Sequence, residues 1–409
     1  MTLPCRICGQ ELSRTFVDLG MSPPCEDLLT AQRLHEPEVF YPLHVRICDR
    51  CLLVQLPNVI PPEEIFTDSY AYFSSFSTSW VEHARRYSEE MIQRLGLGPS
   101  SMVMEVASND GYLLQHFVTA GIPVLGIDPA GNTADAAIAR GVPTEKVFLG
   151  EQTALDLTQR HGRADLIAAN NVFAHVPDLR DFVSGLATLL APAGTLTLEF
   201  PHLQRLIEQR QYDTMYHEHF SYYTLLTAAR ALALADLVVE DADELPSHGG
   251  SLRLVVRHRA AAGTPTAAVA GILEREAAAG LHTIEGHAGF AEQVATVKMD
   301  LLDFLISARR EGKTVAGYGA PGKGNTLLNH CGVRADLLPY TVDLNPGKHA
   351  MFLPGSLIPI HPPDRLAETR PDYILILPWN LRREIGEQLA YAREWGARLV
   401  TAIPRLDVW

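Results

Sequence analysis

The chain has no long apolar run: nowhere in its 409 residues do about eighteen apolar residues follow one another, so no membrane-spanning helix is expected. The opening segment MTLPCRICGQELSR also lacks an apolar stretch, so a secretory signal is not expected there and the expected location is the cytoplasm. Basic residues are in deficit, with 34 Lys and Arg against 48 Asp and Glu and a formal net charge of −14. Nonspecific nucleic-acid binding is driven by basic side chains that release counterions from phosphates, so nucleic acid is not an expected partner. An anionic small molecule is still compatible with this balance if a local basic or amide-rich pocket receives it. Six cysteines are too few for a disulfide scaffold in a chain of this size. Internal repeats and low-complexity segments are also lacking.

What is present is an ordinary globular composition, 47% apolar and 20% charged, in a chain long enough for two or three domains. Four of the cysteines form two CxxC pairs, Cys5–Cys8 followed by Gly9, and Cys48–Cys51, with 39 residues between Cys8 and Cys48. Each pair lets two thiolates converge on one ion, and two pairs complete a tetrahedral site. Disulfides or a redox dithiol are the alternatives; the expected compartment and the paired spacing weigh against both. Zinc held this way is structural, because four thiolates leave no open position for substrate or activated water. Cys25, which follows Pro23-Pro24, and Cys331 are left over without a role.

From about residue 80 the pattern alternates between strand and helix. Strands are expected at Met102–Ala107, Pro123–Ile127, Asp165–Ala169 and Thr195–Phe200, and helices at Tyr112–Thr119 and Phe182–Leu190. Such alternation predicts a parallel sheet covered on both faces. An Ala/Glu-rich helical stretch runs from Pro265 to about Arg310. Alternation then resumes at Thr314–Tyr318, a helix from Lys323, Tyr340–Asp343, Tyr373–Leu377 and Arg398–Ile403. The expected architecture is therefore α/β: a zinc-binding domain over 1–75, a Rossmann-like domain over 76–260, and a helical connector with a second Rossmann-like domain over 261–409.

Glu105-Val-Ala-Ser-Asn-Asp-Gly111 lies where the first strand turns into the first helix, and Asp128 closes the second strand 23 residues beyond Glu105. A ligand can approach the backbone closely at such a turn, and a carboxylate at the second strand's end suits two ribose hydroxyls. No phosphate-gripping GxGxxG is present there. S-adenosylmethionine has an adenosine to hold but no pyrophosphate, so Glu105, Ala107, Ser108, Asn109, Gly111, Asp128 and Asn170 form the expected cofactor site. An incidental acid on an ordinary strand-turn-helix is the alternative.

Tyr216-His217-Glu218-His219-Phe220-Ser221-Tyr222-Tyr223 concentrates ionisable groups that are costly to bury without partners. If extended, it places His217 and His219 on one side; if helical, Tyr216 and His219 come together. A metal site or a satisfied structural cluster are the competing readings. His175, in Asn170-Asn171-Val-Phe-Ala-His175, lies just past a strand's carboxyl end, where open α/β sheets bind ligands. Farther on, Gly317-Tyr-Gly-Ala-Pro-Gly322 matches GxGxxG after a strand, and Asp343 stands 21 residues beyond Gly322. That is a dinucleotide fingerprint, and it supports a rival reading: an NAD-binding dehydrogenase or epimerase module fused to the domain that carries the expected S-adenosylmethionine site.

Taken in order, the two CxxC knuckles, Tyr70-Ala-Tyr72-Phe-Ser-Ser75, Glu105–Leu114, Tyr216–Tyr223, His248-Gly-Gly-Ser251, Gly317-Tyr-Gly-Ala320 and Val342-Asp343 with Asn345-Pro346 span nearly the whole chain. In this arrangement the sequence resembles the C-methyltransferases that act on nucleotide-linked 4-keto deoxysugars. The resemblance implies a zinc-binding amino-terminal domain, a methyltransferase domain and a Rossmann-like carboxyl-terminal domain. It implies that Asn171, His175, Tyr216, Glu218 and His219 face the sugar, with His219 as general base, and that Tyr70, Tyr72 and His248 reach the acceptor. Lys323 and the amides of the Gly317–Gly322 loop are expected to hold the anionic diphosphate, with a purely structural role for this domain as the alternative. The implied partner is a nucleotide-diphosphate 4-keto sugar, and the implied assembly a monomer or small homo-oligomer. Two departures stand out: Ala107 replaces the expected first glycine of the cofactor loop, and His217 fills a place where some relatives carry Asp.

Overall fold

The structure, a computed structural model, describes residues 3–65, 70 and 72–409. The chain packs into two compact units that each gather distant stretches of sequence. The first comprises Met1–Leu12, Cys48–His202 and Phe220–Ile284, and the second Ser13–Ile47, Leu203–His219 and Glu285–Trp409. No helix among the described residues is long and apolar enough to cross a membrane.

The first unit is built on a seven-stranded sheet. Its strands are β1 (Val103–Val106), β2 (Val124–Ile127), β3 (Thr144–Glu145), β4 (Ala164–Asn170), β5 (Leu190–Pro201), β6 (Leu237–Leu245) and β7 (Ser251–His258). In space they lie in the order β6-β7-β5-β4-β1-β2-β3. Strands β1 to β5 pair in parallel, and β7 runs antiparallel to both β5 and β6. Strands β1 and β2 are buried on both faces, which is why they read as continuous apolar runs instead of alternating ones. Chain order reverses at β1, whose neighbours are β2 and β4, so the ligand crevice is expected outside the carboxyl ends of those strands.

Helix α1 (Thr78–Leu95) starts where Ser77 Oγ accepts the Trp80 amide at 3.3 Å and ends at Gly96, whose φ of 63° terminates the helix in the left-handed region. It buries Trp80, Ala84, Tyr87, Ser88 and Met91, one face at helical spacing. Helix α2 (Leu114–Thr119) follows β1, α3 (Gly131–Ala139) follows β2, and α4 (Glu151–His161) and α5 (Leu179–Leu189) flank β4. Asp178 caps α5 by accepting the Asp181 amide at 3.1 Å. The hairpin of β6 and β7 has no counterpart in the sequence expectations; it completes the sheet beside β5.

The second unit carries the other expected parallel sheet. Its strands β8 (Val315–Tyr318), β9 (Thr341–Val342), β10 (Ile360–His361), β11 (Tyr373–Ile376), β12 (Arg398–Thr401) and β13 (Asp407–Val408) lie in the order β10-β9-β8-β11-β12-β13. Only β13 is antiparallel to its neighbour. Strand β8 leads into helix α6 (Gly322–Cys331). An amino-terminal ribbon, Arg14–Ser22 paired antiparallel with Tyr41–Ile47, belongs to this unit, and its Phe16 stacks on Phe290 with ring centroids 4.8 Å apart.

Candidate active site and zinc knuckles

The four knuckle cysteines converge as their spacing predicts. Ligand atoms of Cys5, Cys8, Cys48 and Cys51 all lie within 4.8 Å of one another, with Cys5 and Cys51 sulfurs 3.3 Å apart and Cys8 and Cys48 sulfurs 3.5 Å apart. Zn–S bonds of about 2.3 Å in a tetrahedron separate the sulfurs by about 3.8 Å, so this donor set fits zinc. Gly9 turns behind the first knuckle at φ 72°. Gln55 Nε2 donates to Cys5 Sγ at 3.2 Å and its Oε1 accepts the Arg6 amide at 3.1 Å, a shell that orients the ligands. Arginines then join the knuckles to the rest of the first unit. Arg6 donates to the carbonyls of Pro177 and Phe220 at 3.0 and 3.1 Å, Arg180 to Ile7 at 2.8 Å, and Arg230 to Cys51 at 2.8 Å.

At the carboxyl end of β1, Glu105 is fully buried and neither carboxylate oxygen has a hydrogen-bond donor in good geometry among the described residues. Burial pushes its pKa well above the usual carboxylate range; the Tyr112 hydroxyl opposes this, and Asp128 and Asp110 reinforce it. Asn170 Oδ1, at the end of β4, is likewise buried without a donor among the described residues. Buried acceptors lacking donors are costly, and a ligand that brings an ammonium and hydroxyls removes the cost. S-adenosylmethionine is such a ligand, so these residues fit it.

Asp128 does more than stand at the end of β2. Its Oδ2 accepts the Asn109 amide at 2.8 Å, and its Oδ1 accepts the Ala130 amide at 3.0 Å and Thr133 Oγ1 at 3.2 Å. A carboxylate has about four acceptor positions, and three are taken by its own loops. The expectation that it grips both ribose hydroxyls is thereby reduced to one remaining position. The Ser108 side chain is buried, where a Cβ on Gly126 would stand 2.5 Å from its Oγ, so only the backbone of Ser108 is left to meet a ligand. Gly111 is packed against Val142 and Ala137 at φ 78°, and Ala107 sits at φ 59°, a conformation that glycine takes without strain.

The segment bearing Tyr70 and Tyr72 is tied to this loop through its backbone. Asn132 Nδ2 donates to the Tyr70 carbonyl at 2.8 Å, Asn109 Nδ2 to the Tyr72 carbonyl at 3.1 Å, and the Ser74 amide to Asn109 Oδ1 at 2.8 Å. Ser75 hydrogen-bonds Asp110, which also pairs with Arg140 at 2.9 Å. His175 ends a 3-10 turn, Phe173–His175, whose Ala174 carbonyl accepts the Phe220 amide at 2.7 Å.

In the second unit, Tyr216–His219 forms a turn. The His219 amide donates to the Tyr216 carbonyl at 2.9 Å and the two rings lie 4.1 Å apart, so the helix-like pairing is realised instead of an extended one. His219 Nδ1 is 2.8 Å from the Thr214 carbonyl. A carbonyl only accepts, so Nδ1 carries the proton and the basic lone pair belongs to Nε2. His217 is buried, edge-on to Tyr41 at 5.9 Å; burial pushes its pKa down to about 4, with the backbone at Pro42 and Tyr41 pulling the other way. It is a neutral packing group near neutral pH. Glu218, also buried, is approached by the Cys25 thiol at 4.0 Å. Burial, then Glu218 and Glu26, push the Cys25 pKa well up, so this unassigned cysteine stays protonated.

Lys323 Nζ donates to Asn380 Oδ1 at 3.1 Å and stands 5.2 Å from the Trp379 ring centre. Burial lowers its pKa while Asp213, itself pushed up to about 6 by burial, pulls it back. The lysine thus meets Asn380 and Trp379 within its own unit. The dinucleotide fingerprint is also occupied from within. Glu26 Oε1 accepts the Gly322 amide, Asp343 accepts the Ala320 and Asn345 amides at 2.7 and 2.8 Å, and Lys348 donates to the Ala320 carbonyl at 2.8 Å.

Comparison with known proteins adds three matches to family models. Residues 5–66 match a putative zinc binding domain, 80–242 a methyltransferase domain, and 246–404 a C-methyltransferase C-terminal domain. The C-methyltransferase NovU of Streptomyces niveus is 35% identical over 400 residues, covering 98% of this chain and 95% of that protein. Among solved structures, a SAM-dependent methyltransferase from Anabaena variabilis is 17% identical with a TM-score of 0.33, covering 43% of this chain and 84% of that one. Magnesium protoporphyrin IX methyltransferase from Synechocystis, solved with bound SAM, is 17% identical with a TM-score of 0.33, covering 44% and 81%.

Proposed function

The chain belongs to the family of SAM-dependent C-methyltransferases, and we propose that it methylates the carbon beside the ketone of a nucleotide-linked 4-keto-6-deoxysugar. The observation that carries the reading is the Thr214 carbonyl on His219 Nδ1, which directs basicity to Nε2.

An sp3 carbon bearing hydrogen is no nucleophile. His219 Nε2 takes the proton beside the ketone, and the electron pair of the broken C–H bond passes to the ketone oxygen as an enolate. General-base assistance of this kind is worth about 10²–10⁴-fold. Tyr216 and Glu218 orient the base or polarise the ketone, and Asn171 and His175 provide donors for the developing oxygen charge. S-adenosylmethionine, when bound, would supply an electrophilic methyl to the enolate carbon, its sulfur keeping the electron pair of the sulfur–methyl bond. Glu105, Asn170 and the remaining acceptor position of Asp128 would hold that cofactor, with Tyr70 and Tyr72 beside the acceptor. His219 returns its proton to solvent.

The test is incubation of the purified protein and S-adenosylmethionine with thymidine-, uridine-, guanosine- and cytidine-linked 4-keto sugars, with products weighed. A gain of one methyl on carbon in one of them is expected; no gain on any of them sinks the substrate assignment.

A further inference from the structure

Two residues at the carboxyl edge of the first unit's sheet hold a backbone conformation that non-glycine residues rarely adopt. Asn171, just past β4, and His248, in the turn between β6 and β7, both have φ 53°. Strain of this kind persists where surrounding structure over-determines it, and it concentrates at functional sites. Their side chains meet, with Asn171 Nδ2 3.2 Å from His248 Nε2.

One residue reaches both. Glu199, near the end of β5, is fully buried. Its backbone carbonyl accepts the Asn171 amide at 2.7 Å, and its Oε1 accepts Ser247 Oγ at 2.8 Å, beside His248 in the chain. Its Oε2 is held by Arg253 Nη2 and His83 Nε2, each at 2.9 Å. Trp80 then stacks on His83 at 4.7 Å and meets His248 edge-on at 5.0 Å. Burial pushes the Glu199 pKa up, but His83, Arg253 and Ser247 outweigh it and hold the carboxylate below its ordinary range.

A buried ion pair adds little stability over well-packed apolar groups of the same volume, so stability is a poor reason for placing Glu199 and Arg253 here. What the arrangement does is fix geometry. We propose that Glu199 is a positioning residue for the acceptor: its carbonyl and its carboxylate, the latter through Ser247, lock Asn171 and His248 into one polar clamp that contacts the sugar. This rests on the reading that Asn171 and His248 face the sugar. The hydrogen bond from Asn171 Nδ2 makes His248 Nε2 the acceptor and places the imidazole proton on Nδ1.

Ser247→Ala removes the latch and leaves Glu199, Arg253 and His83 in place, and Ser247→Thr keeps the hydroxyl. In Ser247→Ala the KM for the 4-keto sugar should rise about fivefold, the effect of one lost hydrogen bond, while the Kd for S-adenosylmethionine by calorimetry stays at the wild-type value. Ser247→Thr should restore KM. In ¹⁵N-histidine spectra, wild-type His248 should show a single tautomer with the proton on Nδ1, and Ser247→Ala an average of both. An unchanged KM, an equal rise in the cofactor Kd, or an unchanged tautomer overturns the positioning role. A wild-type protein that methylates none of the sugars sinks the substrate reading instead, and the latch then stands or falls on the tautomer alone.

Discussion

Glu26 Oε1 accepts the backbone N–H of Gly322 at 2.9 Å, at the turn where a dinucleotide-binding fold would seat a phosphate. A Cβ on Gly322 would lie 2.8 Å from Cys25 Sγ and 2.9 Å from Glu26 Oε1, so the glycine admits the chain's own segment. Lys348, 3.8 Å from Glu26, balances the charge. Nicotinamide fluorescence should therefore show no binding when the protein is titrated with NADH. Saturable binding would revive the fused dehydrogenase reading.

Gly322→Ala should destabilise the protein by about 1–3 kcal/mol, the usual cost of overpacking, measured by urea unfolding. Wild-type stability in that variant would mean that Cys25 and Glu26 do not fill the turn.

Ala107 gives a prediction of the opposite sign. At φ 59° it carries about 1–2 kcal/mol of left-handed strain that glycine avoids. Ala107→Gly should be more stable than wild type by up to about 1 kcal/mol, since glycine's extra freedom in the unfolded chain returns part of the gain. A lower unfolding midpoint would show that the strain is absent.

Elemental analysis should find one zinc per chain, and Cys48→Ser should lose it. Because Arg6 joins the knuckle to Pro177 and Phe220, metal loss should also expose these segments to amide exchange. A metal-free wild type with the same protection there would contradict the structural role.

His217 sets a pH dependence. Its folded pKa of about 4 lies below the ordinary histidine value of 6.5, so the unfolded chain binds more protons between those values. Stability is then fully present above about pH 6.5 and falls as pH drops toward 4, by up to about 3 kcal/mol. The fall should be shallower in His217→Leu over the same range. Parallel curves for the two proteins would show that His217 is not held neutral.

Local features were legible in the sequence because their signals are local. The CxxC pairs, the strand-turn-helix at Glu105 and the alternation through Thr195–Phe200 depend on spacing within a few residues. The segment Ser13–Ile47 is expected within the zinc-binding domain over 1–75 but packs in the second unit, since a ribbon that pairs with itself and packs on Phe290 depends on distant partners. The Glu199 network joins α1, β5 and β7, and its signal was present but unused: a lone charge inside an apolar run, Glu199 in LTLEFP and Arg253 in SLRLVV. Cys25 and Glu26 gave no such signal. The two histidines His217 and His219 look alike in sequence; burial against Tyr41 and the Thr214 carbonyl separate them.

The most direct test concerns the proton that His219 is proposed to remove. In deuterated buffer the wild type should exchange the hydrogen beside the acceptor's ketone, and His219→Asn should bind S-adenosylmethionine normally yet lose the exchange. Exchange at the wild-type rate in His219→Asn would contradict the base assignment.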